Sequence, residues 1–153
     1  MKRRAILAIL SVMVTAGVVV GGSATIAHAA ETEDIYCEVI DSDVGAHYSL
    51  HATVEYADIG FHGVREYQSY RYRISGGSSA HDKNNVNFRL SQLGTVFFTH
   101  DSADNIEFGR WYTYTFNPRV RTTRAGMNDL IEFTGIFDQR WRADPKCTAW
   151  LFL

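Results

Sequence analysis

Apolar and polar residues alternate with a period of two along most of the chain. The clearest run is His47 to Tyr56, where Tyr48, Leu50, Ala52, Val54 and Tyr56 fall on one face and His47, Ser49, His51, Thr53 and Glu55 on the other. Successive side chains of a β-strand point to opposite faces, so this pattern predicts a half-buried antiparallel strand with one wet face. Tyr70, Tyr72 and Ile74 alternate with Arg71, Arg73 and Ser75, and Val86, Phe88 and Leu90 with Asn87, Arg89 and Ser91. Tyr112, Tyr114 and Phe116 alternate with Trp111, Thr113 and Thr115, and Ile131, Phe133, Gly135 and Phe137 oppose Glu132, Thr134 and Asp138. Ile35–Ile40 and Thr148–Leu153 serve as terminal strands and Thr95–Thr99 as a central one.

Turn residues punctuate these runs. Gly76-Gly77-Ser78-Ser79 opens a polar loop that extends through Asn85, and Asp101 to Asn105 makes a short acidic turn. Asn117-Pro118 ends or bends a strand, and Arg124 to Asp129 turns around Gly126. The result is an all-β chain: an antiparallel β-sandwich of about eight strands, immunoglobulin-like in architecture with its topology left open. Ala30-Glu31-Thr32-Glu33-Asp34 is polar and reads as mobile up to Ile35. The apolar end, Ala149-Trp150-Leu151-Phe152-Leu153, reads as a paired or buried strand.

The start of the chain reads differently. Met1-Lys2-Arg3-Arg4 is a short basic lead, an apolar run follows from Ala5 to Val20, and Ala27-His28-Ala29 has the small-x-small form of a signal-peptidase site. Residues 1–29 are therefore expected to be a secretory signal peptide and 30–153 one β-sandwich domain, secreted and extracellular. Gly17, Gly21 and Gly22 make the apolar run short and interrupted for a spanning helix, so no membrane anchor is expected after cleavage. Three of the fifteen basic residues and none of the seventeen acids lie in the leader, which leaves 12 against 17 and a formal charge of −5 on the domain. A net acidic domain argues against nucleic acid as a partner.

Cys37 and Cys147 are the two cysteines. In an oxidising compartment they are expected to form one disulfide joining the first and last strands; no C-x-x-C or nearby histidine suggests a metal. His47 and His51 share a strand face, but four residues is roughly 13 Å, too far for one ion. Asp41-Ser42-Asp43 and Asp101 to Asn105 are ordinary turn sequences that match no full calcium loop. Neither a metal nor a cofactor is expected.

Candidate chemistry is thin. His81-Asp82 and His100-Asp101 are the sequence-adjacent His/Asp pairs, and neighbours along a chain diverge. Ser78 and Ser79 lack a nucleophile elbow, and Glu55, Glu107 and Glu132 are outward carboxylates of the kind every sandwich carries. The domain holds ten arginines against two lysines, although a biased genome would produce the same ratio; with tyrosine and tryptophan, arginine makes the composition of interface hot spots. Arg71 and Arg73 project from one strand face, Arg119, Arg121 and Arg124 cluster after Pro118, and Trp111 and Trp141 are the candidate exposed indoles. Trp111 has a competing reading, packed under an arginine stem or against a buried layer.

These features predict a secreted, non-enzymatic binding module. Its expected partner is a secreted or cell-surface protein, reached through these arginines and tryptophans or through strand-edge pairing, as an adaptor, inhibitor or subunit of an extracellular assembly. The alternatives are a carbohydrate-binding module that presents Trp111 or Trp141 to a polysaccharide, and a small hydrolase built on His81, His100 or an outward glutamate.

Overall fold

The computed structural model describes residues 29–59, 64–76, 83–122, 128–139 and 143–153. Among them are eight strands and no helix: β1 (Glu31–Asp41), β2 (Ala46–Ile59), β3 (Val64–Ser75), β4 (Asn85–Gln92), β5 (Thr95–Asp101), β6 (Tyr112–Arg121), β7 (Asp129–Ile136) and β8 (Lys146–Phe152). All pairings are antiparallel, in two four-stranded sheets ordered β1-β2-β3-β6 and β5-β4-β7-β8. This is the antiparallel sandwich that the alternation predicts, with its own strand order. An immunoglobulin constant domain places its first, second, fifth and fourth strands in one sheet, whereas here the first three strands form a meander.

The inward faces are those of the alternating runs. Tyr48, Tyr67, Tyr70, Phe88, Phe133 and Phe137 are fully buried, and the Tyr70 and Phe88 rings stack across the two sheets with centroids 4.3 Å apart. Each fully buried aromatic contributes on the order of 1.5–3 kcal/mol of transfer free energy. A buried phenol also needs a partner for its hydroxyl. Tyr67 donates to Asp129 Oδ2 at 2.7 Å, and the same fully buried carboxylate accepts from Gln92 Nε2 at 2.9 Å and Thr122 Oγ1 at 3.2 Å. This cluster ties β3 to β4 and β7, and so one sheet to the other. Burial, then the Asp129 carboxylate, holds the Tyr67 phenol protonated far above the ordinary range. At the other end of the core, a Cβ added to Gly76 would lie 2.5 Å from Cδ1 of buried Tyr48, so only glycine lets the chain pass this ring.

The Cys37–Cys147 disulfide joins β1 to β8, with Cα atoms 5.8 Å apart, as the cysteine count predicts. Two local expectations are corrected and a third is narrowed. Glu31–Asp34 is part of β1 and pairs with Thr53–Tyr56. Thr53 Oγ1 donates to Asp34 at 2.8 Å and Tyr56 to Glu31 at 3.0 Å, and burial followed by the Glu31 carboxylate pushes the Tyr56 hydroxyl up to about 12. The strand at Thr95–Thr99 is not central, because β5 pairs with β4 alone and forms a sheet edge. Pro118 bends β6 without ending it: Ser69 pairs with Thr115 but Tyr67 with Val120, so β6 bulges around a residue that has no N–H to give the ladder.

Candidate functional site

Antiparallel register turns the outward positions of neighbouring strands into rows, and one row on the β1-β2-β3-β6 sheet collects aromatic and cationic side chains. Tyr36 pairs with His51 and His51 with Arg73. Tyr72 pairs with Tyr112, which sets Trp111, one residue before β6, beside Arg73. At roughly 4.8 Å per strand the row spans about 14 Å.

Trp111 organises it. The guanidinium carbons of Arg71 and Arg73 lie 4.9 Å and 5.0 Å from the Trp111 ring, and His51 meets that ring edge-on at 5.2 Å. The indole is 36% exposed. It therefore holds two arginine forks in place and still reaches solvent. Arg71 and Arg73 stand two residues apart on β3, which puts both on the outward face, and cation–π contact with an indole restrains side chains that would otherwise sample many rotamers. The arginine-stem reading of Trp111 and the exposed reading thus describe one geometry.

The next row is Asp34, Thr53, Arg71 and Thr113, and the one after it Thr32, Glu55, Ser69 and Thr115. Between them is a pocket of about 210 Å³ bordered by Thr53, Glu55, Ser69, Arg71 and Thr113. The carboxylates here are engaged. Ser69 Oγ donates to Glu55 at 2.7 Å, and His51 Nε2 lies 3.4 Å from Asp34. The Thr53 hydroxyl, then His51 and Arg71, hold the Asp34 carboxyl below its usual range. The surface is a polar shelf with two oriented cations, and it suits recognition of carboxylates and other acceptors.

The other expected arginines lie elsewhere. Arg119 Nη1 and Arg121 Nε both donate to Glu66, each at 2.6 Å, and these two contacts hold the Glu66 carboxyl below its usual range. Glu66 is buried, so the pair's first role is to neutralise it. Arg124 and Trp141 lie outside the described residues, as do Ser78, Ser79, His81 and Asp82. His100 is packed inward against Tyr70 and Tyr114. Glu55 and Glu132 sit on different sheets and Glu107 in the segment before β6, so these carboxylates are not brought together as a pair. Among the described residues no group of three His, Cys, Asp or Glu side chains could hold a metal ion.

One surface was missed from the sequence. Trp150 and Phe152 are exposed on the outer face of β8, where Trp150 Nε1 donates to Glu132 Oε2 at 2.9 Å. The apolar run predicts a paired or buried strand whose edge could pair with a partner, and it does not by itself single out an exposed aromatic face. Its parity was available: a disulfide at Cys147 facing the core sends positions 150 and 152 outward.

The fold and these surfaces define a disulfide-clamped, all-β sandwich with two outward sheet faces. No family model matches the chain, and no curated protein matches it. Among solved structures it is similar to the variable (V) domain of the AgI/II polypeptide BspA of Streptococcus agalactiae. The identity is 13%, over 78% of this chain and 72% of that one, with a TM-score of 0.31. At that level the likeness carries no argument, and the sandwich rests on the strands and registers above.

Proposed function

We propose that this protein is a secreted, non-enzymatic binding module that recognises a protein partner through the outer face of the β1-β2-β3-β6 sheet. The observation that carries the reading is the convergence of Tyr36, His51, Arg73 and Trp111 in one row, with Arg71 and Arg73 both on the indole. Trp, Tyr and Arg dominate interface hot spots, and side chains ordered before binding lose less entropy on association. The disulfide fits an oxidising, extracellular setting. Basic forks beside hydroxyls favour a partner that presents Asp or Glu side chains, since guanidinium pairs bidentately with carboxylate.

The test is capture from the producing cells' medium by tagged full-length protein, in wild type and in R71A/R73A and W111A variants. Wild type is expected to retain a stoichiometric protein, and each variant to lose at least ten-fold in affinity, mainly through faster dissociation. Equal retention by wild type and R71A/R73A sinks the assignment of this face.

A further inference from the structure

The outer face of the second sheet carries different chemistry. Trp150 is 59% and Phe152 66% exposed, two residues apart on edge strand β8 and roughly 7 Å from each other along it. Trp150 continues across the sheet through Glu132 and Arg89 to Thr99, and Phe152 through Leu130 and Ser91 to Val96. Beside Phe152 lies a cleft of about 590 Å³, bordered by Arg89, Ser91, Leu130, Glu132 and, from the β4–β5 turn, Leu93. Leu93 is 63% exposed and held at φ +48°, a left-handed conformation unfavourable for leucine, at the rim of this cleft.

Two features narrow the occupant. Apolar groups line the flanks, Trp150 and Phe152 on one side and Leu93 and Val96 on the other, while Arg89 and Glu132 face each other in the middle. An apolar protein surface laid over that middle would strip water from two charges without replacing it, which is costly. A polyhydroxylated ligand answers both parts: its hydroxyls donate to Glu132 and accept from Arg89, and its C–H faces pack on the rings. Arg89 and Glu132 also cancel in charge, so the centre does not select an anion. Trp150 has given its N–H to Glu132, so what it offers a ligand is ring surface. Trp111, by contrast, carries two guanidiniums and an imidazole on its ring.

We propose that the β5-β4-β7-β8 face is a glycan-binding site that takes a neutral polysaccharide chain across Trp150 and Phe152 into the Arg89–Glu132 cleft. This site is independent of the protein-binding face on the other sheet.

The experiment is affinity electrophoresis of the full-length protein in gels containing barley β-glucan, xylan or galactomannan, with sedimentation on microcrystalline cellulose and chitin. Heparin serves as the polyanion control. Variants are W150A, W150F, F152A and, on the opposite face, R71A; thermal melts confirm that each is folded. The expected result is retention by at least one neutral polysaccharide, at least ten-fold weaker in W150A and F152A, partly restored in W150F and unchanged in R71A. The proposal is overturned if no neutral polysaccharide retains the wild type, if heparin alone does, or if W150A binds as well as wild type. Loss of a captured protein in W150A without polysaccharide retention assigns the face to a protein and overturns it equally. R71A loses the protein partner only if the other face is assigned correctly, so the two readings fail separately.

Discussion

His100 is a side chain for which protonation works against the fold. It lies on β5 against the Tyr70 and Tyr114 rings, and its Nδ1 is within hydrogen-bond distance of the Tyr70 hydroxyl. Burial lowers its pKa below the usual value, and neighbouring Asp101 opposes that only in part. Burial, followed by the nearby phenols, raises that of Tyr70, so Tyr70 keeps its proton and donates to a neutral imidazole. Because the folded-state pKa lies below the unfolded one, the unfolded chain binds the extra proton first. The contribution is therefore complete above the unfolded value of about 6.5 and is lost as pH falls through the folded value. Melting temperature is expected to fall between pH 7.5 and 5.5, and H100Q, which keeps an acceptor for Tyr70, to flatten that slope. An unchanged slope in H100Q would remove His100 as its cause.

Single elements show how far the chain's pattern could be read. On β2 the alternation is unambiguous, and Tyr48, Leu50, Ala52, Val54 and Tyr56 are all buried. The first residues of β1 escape such a pattern because Glu31 to Asp34 has no apolar period; its order comes from Asp34 and Glu31 accepting from Thr53 and Tyr56, partners 19 and 25 residues away. Arg71 and Arg73 were legible as outward residues from parity alone. That Arg119 and Arg121 would converge on Glu66 was not, since this depends on the register of β3 with β6 across a bulge at Pro118. The β4–β5 hairpin is a case of local conflict. Its two-residue turn has Leu93 and Gly94 both at positive φ, a conformation that favours Asn-Gly. L93N is expected to raise stability by about 1 kcal/mol in urea unfolding, an effect of the order of the left-handed penalty. No gain would mean that Leu93 is held by contacts worth as much as the strain.

At the scale of the molecule, the sandwich closes at both ends of the chain. The disulfide bridges strands 110 residues apart, and constraint of the unfolded chain by so long a loop is worth roughly 4–5 kcal/mol. C37S/C147S is expected to lose about that much in urea unfolding, and a loss below about 1 kcal/mol would show that β1 and β8 dock without the bridge. The closed sandwich leaves two outward faces, cationic and aromatic on one sheet, aromatic with a charged centre on the other. The first face is tested most directly in the producing cells. A photo-crosslinking residue replaces Thr113, beside Arg71 on the first face, or Thr99, on the opposite sheet. Recognition through the first face predicts one dominant protein adduct from position 113 and none of that mass from position 99. No adduct at 113, or the same adduct from both positions, would contradict it.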